Sequence, residues 1–164
     1  IPYISHPMAV SAIALEFGAS EDQAIAALLH DAIEDGGIKY VDLIGDQFGP
    51  YVLELVQGCT DGTPDRNGKK IDWLERKTPY LAHLEKASDE VLLVSCSDKL
   101  HNARAIVNDL INEGQSVFDR FNATKVQTLW YYRQLANIFT NKKCPPAKAL
   151  DSAVSQMEAL SDSA

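Results

Sequence analysis

Apolar residues in this chain come in stretches bracketed by helix caps and helix stops, and that punctuation restricts the fold to a bundle of helices. Residues 7–17 are rich in Ala, Ile and Leu; they open on Pro7 in a first turn and close on Gly18. Ser20 caps a second helix over 21–35, with Gln23 at the capping-box position and Gly36-Gly37 as the stop. Residues 42–48 and 50–57 form two short helices, each ended by glycine. A polar loop at 59–70, full of Thr, Asp, Gly, Pro and Asn, separates them from the rest. Longer amphipathic helices follow at 71–87 and, capped by Ser88 or Asp89, at 90–112, with a further helix at 123–139. Pro145-Pro146 break the chain before a last helix at 147–161. The run Val91-Leu92-Leu93-Val94 would suit a strand in isolation, but its place between helix signals assigns it to a buried helix. The expectation is one all-α domain over 1–164, without internal repeats.

At 164 residues, 46% of them hydrophobic, the chain can bury one core. Its net charge of −8 argues against a broad nucleic-acid surface, which needs a basic patch. A small anionic substrate remains compatible, because a bound metal supplies the dominant local charge. No apolar run approaches the roughly 20 residues of a membrane span, and no signal peptide is visible, so a cytoplasmic setting is expected. Cys59, Cys96 and Cys144 are widely spaced with no CxxC pair. They read as reduced, mostly buried thiols, not as a closed structural zinc site. The chain opens on Ile1 rather than Met, which points to residues upstream.

The chemistry concentrates in His30-Asp31-Ala32-Ile33-Glu34-Asp35. On a continuous helix Glu34 lies one turn above His30 and Asp35 one turn above Asp31, so four ionisable groups share a face. Ala26, Ala27, Leu29 and Ile33 are left to pack against the core. Crowding carboxylates on a largely apolar helix is costly, and a bound cation removes the cost. Each residue alone has an ordinary explanation: His6 as a surface or capping residue, Asp98 as a solvated helix carboxylate, Glu34-Asp35 as helix-end polarity. Acidic residues are nonetheless unfavourable at a helix C-terminus. Taken together, His6, His30, Asp31 and Asp98 offer two imidazoles and two carboxylates. That set suits Mn, Fe, Zn or Co better than Ca and leaves positions for water and a phosphoryl oxygen. Such a metal polarises the phosphoryl group and acidifies its water. Glu34 and Asp35 then orient that water or carry its proton.

The order His…His-Asp…Asp resembles the HD-domain metal-dependent phosphohydrolases. Finer motifs resemble the hydrolase domain of RelA/SpoT-type alarmone enzymes. They are Pro2-Tyr3-Ile4-Ser5-His6-Pro7, Ala26-Ala27-Leu28-Leu29-His30-Asp31-Ala32-Ile33-Glu34-Asp35, Phe48-Gly49 with Gly58-Cys59-Thr60-Asp61, and Ser97-Asp98-Lys99-Leu100-His101-Asn102-Ala103-Arg104. The resemblance covers about residues 1–140 and implies an HD-domain helical bundle. No synthetase domain fits in the remaining length, so it implies a stand-alone small alarmone hydrolase. That family removes the 3′-pyrophosphate of (p)ppGpp, giving GDP or GTP and pyrophosphate, usually with Mn²⁺. By this resemblance His6, His30, Asp31 and Asp98 hold the metal, and Glu34 and Asp35 position the attacking water. Asn102, Lys77, Arg76, Lys99 and Tyr132 fall to the substrate. Two departures bear on the base: the Arg/Lys segment before the PYI motif is absent, and Ala105 stands where many relatives have Thr. The same metal site would also serve (p)ppApp, the 2′-phosphate of NADPH or another nucleotide. A non-catalytic sensing module is a third reading, although such a scaffold would be expected to lose ligands or the Glu-Asp pair. The implied partner is a small nucleotide, with no nucleic acid and no membrane; a homodimer stays open.

Overall fold

The computed structural model describes residues 2–61 and 72–162, and every regular element among them is helical. In chain order these are α1 (Ser5–Glu16), α2 (Glu21–Leu29), α3 (Ala32–Gly36), α4 (Lys39–Phe48), α5 (Pro50–Cys59), α6 (Trp73–Leu84), α7 (Asp89–Glu113), a 3₁₀ helix (Gly114–Arg120), α8 (Lys125–Asn141) and α9 (Ala147–Asp162). The all-α expectation holds, and the caps act where the residues put them. The Ser20 hydroxyl accepts from the Gln23 amide while the Gln23 side chain accepts from the Ser20 amide, and Thr124 with Gln127 repeats the device before α8. Ser88 caps α7, and Asp72 accepts from the Leu74 amide at the head of α6. The 59–70 loop lies, from residue 62 on, outside the described residues.

α7 is the axis of the bundle. Val91 to Asp98 are buried without interruption, because other helices cover this stretch on every side. A helix buried all round loses its amphipathic signature, which is why Val91–Val94 read ambiguously. One apolar cluster joins α7 to α6, α8, α9 and the 3₁₀ helix through Leu84, Leu100, Val117, Leu135, Phe139, Leu150 and Met157. A second joins the N-terminal half of α7 to α1, α2, α4 and α5 through Val10, Ala26, Ala27, Ile44, Val52, Leu55 and Val94. Each of the buried Val, Leu, Ile, Phe and Met side chains contributes on the order of 1.5–3 kcal/mol of transfer free energy, and each alanine less. The three cysteines are buried and unpaired. No described helix is long and apolar enough to cross a membrane.

Two expectations need correction. The helix over 21–35 is not continuous: α2 ends at Leu29, His30 and Asp31 form a turn, and α3 starts at Ala32. The ring Nδ1 of His30 donates to the Ala27 carbonyl at 2.8 Å. In an unbroken helix that carbonyl accepts from the Asp31 amide, so the side chain competes with the ladder. Asp31 accordingly sits at φ −91°, ψ −6°, between helical and turn geometry. Gly58 also does not stop a helix; α5 runs on to Cys59. Its missing side chain lets α5 press against α7, since a Cβ there would stand 2.7 Å from Val91 Cγ2.

Candidate functional site

Three separate elements bring the predicted ligands His6, His30 and Asp98 to one point, and Asp31 stands at its edge, facing each imidazole with a different oxygen. His6 comes from the first turn of α1, His30 and Asp31 from the turn between α2 and α3, and Asp98 from the buried middle of α7. The two imidazole Nε2 atoms lie 3.2 Å apart. Asp98 Oδ1 is 3.3 Å from His6 Nε2 and 3.5 Å from His30 Nε2. Asp31 approaches the same two nitrogens at 3.6 and 3.2 Å. Donors about 2.1 Å from a shared ion are separated by about 3.0 Å at octahedral and 3.4 Å at tetrahedral angles. The observed spacings fall close to that range, and the donor set fits a divalent transition metal.

The surroundings orient the donors. Because the Ala27 carbonyl can only accept, His30 carries its proton on Nδ1 and presents the Nε2 lone pair to the cluster. His6 Nδ1 meets His101 Nδ1 at 2.8 Å. With His6 donating there, its Nε2 lone pair also faces inward. Tyr3 donates to Asp31 Oδ2 at 2.6 Å, Asn102 to Asp98 Oδ1 at 2.7 Å, and Lys99 to Asp98 Oδ2 at 2.6 Å. Burial alone would raise the Asp98 carboxyl, but the Lys99 cation and the two imidazoles hold it well below the usual range. Burial likewise disfavours a charged His30, yet its bonds to Asp31 and Asp98 lift it to about 10. Both shifts point the same way: the carboxylates of Asp31 and Asp98 favour a positive charge at the centre of the cluster.

The remaining predicted residues lie beside this centre. Glu34 of α3 is half-buried, with Oε1 3.5 Å from Arg76 Nη1, and Asp35 is exposed at the protein surface. The break after Leu29 means that His30, Asp31, Glu34 and Asp35 do not share one continuous helix face. A cavity of about 320 Å³ opens next to Asp98, whose partners Lys99 and Asn102 form part of its wall. Arg76, Lys77 and Tyr132 line the same cavity, so the residues assigned to substrate by resemblance share one wall system. Trp73 and Tyr131 add aromatic surface, and Arg120, Phe121 and Asn122 close the far side. Arg76 Nε and the Tyr131 hydroxyl are buried without a hydrogen-bond partner among the described residues. Buried polar atoms are normally satisfied, so these two mark where a ligand's acceptors belong.

Sequence reasoning missed several of these residues. His101 and Tyr131 each adjoin a residue that was singled out, and only the partner in space reveals their place. Asp61, whose side chain is 3% exposed, accepts from Arg76 Nη1 at 2.7 Å and from Lys77 Nζ. The far wall, Arg120 to Ala123, follows from the 3₁₀ helix, for which residues 115–122 carry no cap or stop of their own beyond the Gly114 that ends α7.

Residues 1–129 match the family model described as HD domain. The chain is 37% identical over 111 residues to GTP pyrophosphokinase rsh of Brucella ovis. It is 35% identical over 107 residues to the bifunctional (p)ppGpp synthase/hydrolase SpoT of Escherichia coli K12. Each match covers 64% of this chain but only 14% and 15% of those relatives, so it spans about a seventh of their length. Among solved structures, lmo0812 from Listeria monocytogenes EGD-e superposes with a TM-score of 0.78 at 26% identity, covering 96% of this chain and 99% of that one. A metazoan ortholog of SpoT, described as hydrolysing ppGpp with a role in starvation responses, superposes with a TM-score of 0.71 at 26% identity, covering 94% and 81%.

Proposed function

The chain belongs to the HD-domain family, and from that premise we propose that it is a metal-dependent 3′-pyrophosphohydrolase of guanosine alarmones, converting (p)ppGpp and water to GDP or GTP and pyrophosphate. One observation carries the reading. The cavity that presents Arg76, Lys77 and Lys99 is joined to the His/Asp cluster through Asp98, so phosphate-binding cations and metal ligands form one continuous site. A cluster of buried cations beside aromatic walls suits a purine nucleotide carrying more than one phosphate.

In this reading His6, His30, Asp31 and Asp98 hold a divalent ion, Mn²⁺ or another transition metal. Such an ion, when bound, polarises a phosphoryl oxygen and lowers the pKa of a coordinated water. Arg76, Lys77 and Lys99 bind the pyrophosphate oxygens and neutralise charge as the ribose 3′ oxygen leaves. Glu34, aided by Asp35, orients the attacking water and takes up its proton, with its carboxylate held toward the cavity by the Arg76 guanidinium 3.5 Å away. Asn102 and Tyr132 contact the nucleoside from the same cavity. The SpoT-like relatives support the substrate class.

The test is turnover of ppGpp, ppApp and NADPH by metal-stripped protein with Mn²⁺ added back, products being separated by anion exchange. GDP and pyrophosphate from ppGpp establish the reaction, and the ppApp-to-ppGpp rate ratio gives the base preference. Orthophosphate from NADPH alone, or no turnover with the metal bound, overturns it.

A further inference from the structure

We propose that Asp61 is a positioning residue that clamps Arg76 and Lys77 from behind the cavity wall and aims both at the substrate's phosphate oxygens. The inference rests on the reading of this cavity as a phosphate site. Its starting point is helix geometry. Arg76 and Lys77 are consecutive on α6, and consecutive residues project about 100° apart around a helix and do not face one another. Both nevertheless line the same cavity. Their convergence has a visible cause: Asp61 Oδ1 accepts from Arg76 Nη1 at 2.7 Å and Asp61 Oδ2 accepts from Lys77 Nζ. One carboxylate, placed just past the end of α5, ties two divergent side chains together.

Asp61 does this without touching the cavity. It lines a smaller hollow on the other side of Arg76, with Thr60, Tyr80 and His83, while Arg76 belongs to both walls. The clamp also leaves donors free for a ligand. Arg76 Nε has no partner among the described residues, and an ammonium has three N–H donors, of which Asp61 uses one from Lys77. Asp61 offsets one of the two positive charges and Glu34, 3.5 Å from Arg76 Nη1, faces the other, so the clamp acts by holding the donors in place and not by adding charge. Burial and the charge of Lys99 push the Lys77 ammonium down, and Asp61 works in the opposite direction, keeping it charged.

The experiment uses the full chain, metal-stripped, with inorganic pyrophosphate as the probe in isothermal titration. Removing a negative charge beside an anion site tightens binding if charge alone matters. A positioning role has the opposite sign: Asp61→Asn should bind pyrophosphate at least fivefold more weakly while its melting temperature stays within a few degrees. Lys77 should also react at least fivefold faster in reductive methylation mapped by mass spectrometry, because its ammonium is no longer held. In a Lys77→Met background, Asp61→Asn should cost less than half as much affinity, since one arm of the clamp is already gone. Unchanged or tighter pyrophosphate binding by Asp61→Asn overturns the proposal. Should that variant not fold, Asp61→Glu keeps the charge but moves it by one methylene; it should bind at least threefold more weakly, and wild-type affinity there overturns the proposal equally. Wild-type turnover of ppGpp tests the alarmone reading separately, so either idea can fail without the other.

Discussion

Asp98→Ala separates the two duties of one carboxylate. Asp98 is 5% exposed and accepts from Lys99 at 2.6 Å and from Asn102 at 2.7 Å, while facing the two imidazoles. Lys99 is itself buried to 13% side-chain exposure, with Tyr80's ring 5.6 Å away. Deleting Asp98 leaves that ammonium without its carboxylate in the bundle's interior. Breaking a buried ion pair in this way costs about 3–5 kcal/mol. For a domain of this length, 1 kcal/mol corresponds to about 2–4 °C, so the metal-free variant should melt about 6–20 °C below wild type. Wild type in Mn²⁺ at a hundred times its Kd should gain about 2.7 kcal/mol, or about 5–11 °C. Asp98→Ala should lose that gain. Adding Lys99→Met removes the stranded charge and should restore most of the metal-free melting temperature, but not the response to Mn²⁺. The assay is a circular-dichroism melt in EDTA and in Mn²⁺. A metal-free Asp98→Ala melt within about 2 °C of wild type refutes the burial argument; an undiminished Mn²⁺ shift refutes the ligand assignment.

Further consequences can be checked the same way. Glu34→Gln should keep the Mn²⁺-induced rise in melting temperature yet lose about 10²–10⁴-fold in kcat on ppGpp, the usual weight of a general base; near-normal turnover would remove Glu34 from that role. His101→Phe should leave the fold intact and weaken Mn²⁺ binding about 10–100-fold by titration, because it frees the His6 ring to rotate and change tautomer. Gly58→Ala gains helix propensity of about 1 kcal/mol but drives a methyl into the buried, β-branched Val91 at 2.7–2.8 Å. Overpacking costs about 1–3 kcal/mol, so a denaturant titration should show net destabilisation.

Much of the architecture was readable because its signals are local. Ser20 with Gln23, Ser88, Gly18 and Gly114 act through bonds three or four residues away, so the residues themselves locate the helix ends. Where a helix end depends on a side chain's surroundings, reading failed. Nothing in 21–35 announces that His30's ring will take the Ala27 carbonyl and split the helix. Nor does Gly58 declare itself a contact point against Val91 until α5 and α7 are packed. The site divides the same way. The imidazoles and carboxylates could be named from their residue types and order, whereas His101, Asp61 and Tyr131 only acquire a part to play once their neighbours are known.

By itself, then, the sequence determined a helical chain, the identity of a nitrogen-and-carboxylate donor set and the likeness to HD-domain hydrolases. Tertiary structure alone decided which ring nitrogens face the centre, that Arg76 and Lys77 converge on a buried Asp61, and that the stretch from Arg120 to Ala123 walls the cavity. The reason is range. Caps and stops are settled within a turn of backbone, whereas tautomers, clamps and cavity walls are set by partners from distant segments. Those segments meet only when α7 is buried between two apolar clusters.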